Sequence, residues 1–516
     1  MPKESRIKKS LLNARINLIF YILALFLSFF SRKMFLNYLG ADFMGMTNTL
    51  YDLLEFLNLA ELGIGSAIGY VLYKPLFEQN ETKINEIISV LGFIYQRIGF
   101  VILGAGIILS LFLPAIFPSN VFDIKVIYFT FYAYLASSLI TYFANYKIAL
   151  LAADQKNYIT TAYFQTTMLV RTLLQMGVVC YTANFYLWIL IELLSNITRS
   201  VILNWKIRQV YPWLKSEVKR GKELLKCYPE VIKYTKQLFV HKMGGFVHFH
   251  TIPLLIYAFV SLETVAFYGN YTIITNRISQ LLNTIWGSTE AGVGNLIAEG
   301  DLNKTRQIFW ELFSARFLIA GIVSFGIFQL TEPFISLWLG KQYILPHSVL
   351  CLIILSSFIG YSRGVTEQFL FGYGLFSDTW APIVEICINL TTAIIGGSIW
   401  GLQGVLLGSI SGLTIIVGIW KPYFLFKCGL KTKFRFYVIN YLKQLSIVSG
   451  AGLACHYLLP IKWFAPQASF VHWAVYAIAL MLAYSLLTSV LFYMTVPSIR
   501  SFIKRLRNRH KCATLK

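Results

Sequence analysis

The feature that most restricts this chain is a succession of blocks, each of about 20 residues or more, from which charged side chains are almost absent. A helix of that length rises about 30 Å, the thickness of a bilayer's hydrocarbon, and satisfies its own backbone N–H and C=O groups where water is absent. Such blocks predict membrane-spanning helices rather than the amphipathic helices of a soluble domain. The opening block, from Asn17 to Phe30, contains no charged residue and is followed by Arg32 and Lys33. No small-residue cleavage site lies behind it, so it reads as a retained span and not as a signal peptide. Composition agrees. The chain is 57% hydrophobic and 13% charged, against roughly 25% charged in ordinary soluble domains.

The blocks predict an all-α membrane protein of about fourteen spans, near 15–38, 43–73, 87–115, 126–150, 158–180, 184–206, 238–260, 264–297, 307–330, 346–372, 379–399, 402–425, 438–459 and 471–495. Spans two and eight are long and polar, which suggests tilt and a wetted face. The connections on the side of the N-terminus hold 31 Lys and Arg residues, those on the other side only Lys125, Lys341 and Lys462. That asymmetry predicts a multi-pass membrane protein with both termini in the cytoplasm. It also explains the net charge of +22 without a nucleic-acid partner, for which no aromatic-basic reading motif is present. Seven scattered cysteines, none spaced C-x-x-C, imply neither a disulfide framework nor a zinc site.

The chain repeats itself. Span two ends in Glu61-Leu62-Gly63-Ile64-Gly65-Ser66-Ala67-Ile68 and span eight in Glu290-Ala291-Gly292-Val293-Gly294-Asn295-Leu296-Ile297, an offset of 229 residues. Phe43-Met44-Gly45 is echoed by Phe267-Tyr268-Gly269. Both motifs close the second span of a six-span half and run the same way, so the repeat is parallel, about an axis along the membrane normal. The expected organisation is two six-helix lobes, residues 1–206 and 238–426, then two appended spans within 427–495 and a basic tail, 496–516. The motif glycines read as sites of close helix packing. Between the lobes, 207–237 is basic, and Leu214, Val218, Leu225, Tyr228 and Ile232 recur at helical spacing, which predicts an amphipathic helix on the anionic inner leaflet or, alternatively, a solvated linker.

Charges at mid-span cost about 2.5–3.5 kcal/mol on insertion scales, so they face a partner or a water-filled cavity. Arg171, Arg277 and Arg363 lie deep in their spans, and Arg32 in the outer third of span one. Guanidinium groups in a low-dielectric chamber hold phosphate oxygens in bidentate fashion. These four are the candidate substrate-binding cations; pairing with acids such as Asp52, Glu55, Glu192 or Glu385 is the competing reading. Asn48, Asp52 and Glu55 share one face of span two and serve either to balance Arg32 or to carry a proton or sodium ion. Glu61 and Glu290, the repeated glutamates, join them as charge-balance or ion-coupling candidates. His248 and His250 point roughly 200° apart on a helix, so they and His241 read as cavity-lining or hydrogen-bonded side chains, and no metal site is expected.

From Arg32 to Leu76 the segments FLNYLGADFMG and ELGIGSAIGYVLYKPL resemble the polysaccharide transporter family of the multidrug/oligosaccharidyl-lipid/polysaccharide superfamily, the O-antigen and capsule repeat-unit flippases. The likeness covers the chain in topology, with close motif matches only in the first two spans. It implies two six-helix lobes around a central cavity, alternating access, and export of undecaprenyl-pyrophosphate-linked oligosaccharide for O-antigen, capsule or exopolysaccharide. The partners it implies are the lipid-linked oligosaccharide, the phospholipid bilayer, and a polymerase with its chain-length machinery. No cofactor is implied beyond proton or sodium coupling. Of the four arginines only Arg32 stands in the matched motif, and the arginine-rich first span of the peptidoglycan-precursor flippases is missing.

Two other functions compete. A drug or cation exporter of the same superfamily would want an acidic or apolar cavity, whereas the deep charges here lean basic. A membrane polymerase, ligase or acyltransferase needs an outer loop bearing acids, bases or a nucleophile. The longest outer loop is about 15 residues, Thr331 to Leu345, and no H-E-x-x-H, G-x-S-x-G or Walker motif occurs. A transporter and not an enzyme is therefore expected.

Overall fold

A computed structural model describes residues 6–514, apart from 62, 118–121, 155, 288, 376 and 459–463; the side chains of 6–18, of Glu290, His241 and His248, and of some others also lie outside the described residues, as does Lys462. The chain is all-α and forms two compact units, Met1–Ala266 and Phe267–Lys516. Each of the fourteen expected spans coincides with a helix or a pair of consecutive helices.

In the first unit these are α1 (Arg6–Leu39), α2 (Ala41–Leu57), α3 (Ile64–Glu78), α4 (Glu81–Ser110), the single turn α5 (Leu113–Ile116), α6 (Ile124–Ala144), α7 (Ile148–Ala153), α8 (Asn157–Thr182), α9 (Phe185–Val210), the short α10 (Gly221–Cys227), α11 (Pro229–Phe259) and the start of α12 (Leu262–Gly287). Starts are set by side chains that accept from orphan backbone N–H groups: Asn80 from Lys83, Asp123 from Lys125 and Asn184 from Leu187. Helices α1 and α8 pack together, α9 lies against α6 and α8, and α11 against α2 and α3. Phe43 is fully buried, stacked on Phe185 at 4.6 Å and edge-on to Trp188 at 5.6 Å.

The second unit contains the rest of α12, then α13 (Glu290–Ala298), α14 (Leu302–Trp338), α15 (His347–Ser362), α16 (Gly364–Gly372), α17 (Trp380–Trp400), α18 (Leu402–Gly412), α19 (Lys421–Phe424) within a π-helical continuation of α18, α20 (Phe434–Leu458), α21 (Phe470–Thr495) and α22 (Pro497–Thr514). Helix α14 is its axis, touching α15, α20, α21 and α22. Phe309, Phe313 and Phe317, spaced four apart on α14, are buried against Phe369, Phe426 and Tyr437. Among the described residues eight helices are long and apolar enough to cross a membrane. Their outward faces are apolar: Leu482 and Leu486 on α21 are 66% and 70% exposed, a wasteful arrangement in water and an ordinary one in lipid.

Two expectations are corrected. Span two is not one helix: α2 ends at Leu57, a 3₁₀ turn covers Asn58–Glu61, and α3 begins after Gly63, whose φ of 92° is left-handed. Span eight breaks at the matching place, between α12 and α13. The motif glycines are only in part sites of close packing: the Gly294 Cα lies 3.8 Å from where a Cβ on Gly372 of α16 would stand. A Cβ on Gly292 or Gly294 would meet nothing within 4 Å among the described residues, and one on Gly65 only Tyr95 at 3.7 Å. They lie beside a helix break, and Gly63 makes the turn.

The second correction concerns 207–237, which is neither a single amphipathic helix nor a free linker. After Val210 the chain runs irregularly through Pro212 into a 3₁₀ turn at Val218–Arg220 and then α10. It is docked on α4: the backbone N–H of Lys215 donates to Asn85 Oδ1 at 2.8 Å, that of Glu217 to Ser89 Oγ at 2.8 Å, and Tyr228 donates to Glu86 Oε2 at 2.6 Å. Val218 faces Gly92 of α4 instead of lipid.

Close backbone approach is found elsewhere, in the α17–α18 hairpin. Gly404, Gly408 and Gly412 follow one another at four-residue spacing, and a Cβ on Gly404 would lie 1.8 Å from the Gly396 carbonyl oxygen. Gly404→Val should therefore lower the thermal midpoint of the purified protein sharply, by overpacking of about 3 kcal/mol or more. Gly450→Ala, where the added Cβ meets nothing described within 4 Å, should leave it within a degree or so, about the shift expected of a neutral surface change. Equal midpoints would show that the hairpin is not packed this way.

Candidate functional site

The polar face of α2 carries Tyr51, Asp52 and Glu55, and it meets charges from three other helices of the first unit. Asp52 is buried, and its Oδ1 lies 2.7 Å from Nδ1 of His250 on α11. The His250 ring sits 4.5 Å from Phe246, which in turn packs edge-on to Phe56. Tyr51 is within electrostatic reach of Glu55, of Asp52 and of Glu192 on α9. Arg171 Nη1 on α8 donates to Glu192 Oε1 at 2.8 Å. This pair is a quarter and a fifth exposed, and among the described residues the Nε of Arg171 has no hydrogen-bond partner. Arg199, seven residues after Glu192, lies over the Phe164 ring at 4.6 Å and is within electrostatic reach of both Arg171 and Glu192. The result is a mixed-charge cluster that joins α2, α8, α9 and α11.

The break between α2 and α3 is stitched in place. Asn58 Oδ1 accepts from Ser138 at 2.9 Å and from Tyr142 at 3.0 Å, both on α6, and Glu61 Oε1 accepts from Tyr95 of α4 at 2.7 Å. The repeated glutamate of the first half therefore anchors the turn beside it. In the second unit the same service comes from α14 and α16. Gln368 Nε2 donates to the Trp286 carbonyl at 3.0 Å and Thr289 Oγ1 to Gln368 Oε1 at 3.3 Å. Arg316 is buried on α14, donates from Nε to the Tyr361 carbonyl at 2.6 Å, and lies over the Trp286 ring at 5.6 Å. Gly364 makes room for it, since a Cβ there would lie 2.2 Å from the guanidinium carbon. Glu290 opens α13.

Of the four candidate arginines, two stand in each unit. Arg32 is 7% exposed and its Nη2 donates to the Ala266 carbonyl at 2.8 Å, so it braces α1 against the start of α12. Arg171 is the member of the cluster just described. Arg277 is half-buried on α12. Arg363 occupies the interruption between α15 and α16, its Nε 3.7 Å from Glu367 Oε1, with Glu385 of α17 and Lys421 in electrostatic reach of the pair. Asp52 and Glu55 join the first-unit cluster, where Asp52 pairs with His250. Sequence reasoning did not single out Arg199 or Arg316. Both carried a usable signal, because each lies as deep in an apolar block as Arg171 does. Among the described residues no group of three or more His, Cys, Asp or Glu could hold a metal ion.

No protein-family model matches the chain, and no curated protein matches it in sequence. Its fold is shared with solved transporters. One is described as an inward-facing multidrug resistance MATE family transporter of the MOP superfamily (TM-score 0.60, 14% identity, covering 81% of this chain and 99% of that one). Another is the lipid II flippase MurJ in an inward closed conformation (TM-score 0.62, 14% identity, covering 94% of this chain and 99% of that one). The chain is thus an all-α, multi-pass membrane protein with the fold of MOP-superfamily transporters.

The Arg171–Glu192 pair gives a direct check of the cluster. Each single alanine variant leaves a half-buried charge without its partner and should lower stability more than the Arg171→Ala/Glu192→Ala double variant does. The coupling expected from thermal unfolding is about 1 kcal/mol, discounted for the pair's partial exposure. Additive losses would mean that the two side chains do not act together.

Proposed function

We propose that this protein is a flippase that moves undecaprenyl-pyrophosphate-linked oligosaccharide repeat units from the cytoplasmic to the outer leaflet of the bacterial inner membrane by alternating access. The observation that carries this reading is the pair of broken helices at matching places in the two halves, each fixed by side chains of its own unit. Discontinuous helices at repeat-equivalent positions are where transporters of repeated architecture expose backbone and charge to a substrate. A lipid II flippase is among the solved proteins that share this fold, over 94% of the chain.

Charge supports an anionic head group. In the second unit Arg316, Arg363 and Lys421 lie within electrostatic reach of Glu367, and Arg363 and Lys421 also of Glu385, three cations to two acids. In the first unit Arg171 and Arg199 lie with Glu192, and Asp52 pairs with His250. The pyrophosphate is therefore assigned to the second unit, with Arg363 and Arg277 as its first contacts. The Asp52–His250 pair is the candidate carrier of a coupling proton, with sodium as the other ion considered. In this reading both termini lie in the cytoplasm, which the basic loops favour, and a polymerase with chain-length machinery would take up the exported units. The drug-exporter reading keeps one supporting observation, the mixed charge of the first unit, which would tolerate a cationic substrate.

A deletion strain should accumulate lipid-linked repeat units on the cytoplasmic leaflet and lose surface glycan. Plasmid-borne wild-type protein should restore the glycan. Arg363→Ala should restore at most about a tenth of it at equal protein level, the effect of losing roughly 1.4 kcal/mol of charge-assisted phosphate binding. Intact surface glycan in the deletion strain, together with new drug sensitivity, would favour the exporter instead.

A further inference from the structure

No Asp or Glu follows Glu385, while residues 386–516 hold fourteen Lys and Arg. A quarter of the chain therefore has no acid of its own to balance its cations. Helix α22 concentrates this charge. It starts two residues after the apolar α21 ends at Thr495, so it lies where the chain leaves the hydrocarbon.

Its two faces differ. Ile499 is buried and Phe502 packs against the core of the second unit. Ser498 Oγ is 2.8 Å from Ser314 Oγ on α14, and Arg505 forms an ion pair with Glu311, a side chain 1% exposed that also accepts from Gln307 at 2.8 Å. That ion pair is a latch, because a buried carboxylate without its guanidinium would be costly. The opposite face carries Arg500, Ile503, Lys504 and Arg507, all exposed and spaced i, i+3, i+4, i+7. Lys443 and Arg435 of the neighbouring α20 are exposed as well, and Lys443 Nζ donates to the Thr495 carbonyl at 2.6 Å, at the junction with α22.

We propose that the Arg500–Ile503–Lys504–Arg507 face of α22 binds the anionic phospholipid head groups of the bilayer surface, with Ile503 entering the head-group layer, while the Arg505–Glu311 ion pair holds the helix to α14. Charge complementarity selects the partner: a cationic stripe with an apolar centre, no internal counter-charge, and a position at the membrane boundary match an anionic lipid surface. The inference does not depend on what the protein transports.

The test uses full-length protein in nanodiscs of phosphatidylcholine alone or with phosphatidylglycerol, read by amide hydrogen exchange over 497–507. Each cation at an anionic surface is worth about a fivefold preference at low ionic strength, so exchange should slow about tenfold or more with phosphatidylglycerol and recover in high salt. Arg500→Gln/Lys504→Gln/Arg507→Gln should abolish the difference with an unchanged thermal midpoint, and Ile503→Glu should do the same. Exchange indifferent to phosphatidylglycerol, a full response in the triple variant, or equal slowing by inorganic phosphate in phosphatidylcholine discs would each overturn the proposal.

Discussion

A helix broken inside a membrane leaves backbone N–H and C=O groups that lipid cannot satisfy, and each costs several kcal/mol unless protein or water reaches it. This chain has such a break at matching points of its two halves, where turns bond part of the backbone and side chains of each unit hold the residues around it. Asn58 and Glu61 are held by Ser138, Tyr142 and Tyr95 in the first unit; Trp286 and Thr289 are held by Gln368, with Arg316 over the indole, in the second. Continuous helices would have been cheaper. The retention of both breaks is the physical basis for proposing function there.

The two units answer the same problem with different electrostatics. In the first, acids and bases are paired within the cluster: Asp52 with His250 and Glu192 with Arg171. Such pairing allows a proton to move without leaving a bare charge in low dielectric. In the second, cations outnumber acids, and Arg363 shares Glu367 at the looser distance of 3.7 Å. A loosely held guanidinium can exchange a carboxylate for a phosphate at modest cost, whereas Arg32, buried and bound to a carbonyl, is placed to brace helices.

The spans were legible in the sequence because hydropathy over about 20 residues is a one-dimensional signal set by bilayer thickness. The breaks were only half legible. The repeated E-x-G-x-G marked their positions, but close packing was only part of the reading: Gly294 approaches Gly372 of α16, a Cβ on Gly292 would meet nothing among the described residues, and Gly63 supplies a left-handed turn. Residues 207–237 misled for a different reason. An apolar periodicity cannot say whether it faces lipid or α4, and Asn85, Ser89 and Glu86 decide the matter from 120 or more residues away. The Asp52–His250 pair, 198 residues apart, was hidden for the same cause, since a single sequence does not reveal which helices are neighbours.

Cysteine labelling at the two breaks tests the central claim most directly. Gly65→Cys and Gly294→Cys, repeat-equivalent positions with room for a side chain, would be introduced singly into a chain whose seven native cysteines are replaced. Both should react with a water-soluble maleimide, and undecaprenyl-pyrophosphate-linked oligosaccharide should protect them. Two inert thiols, or labelling at full rate with the lipid-linked sugar present, would contradict a substrate path past the broken helices.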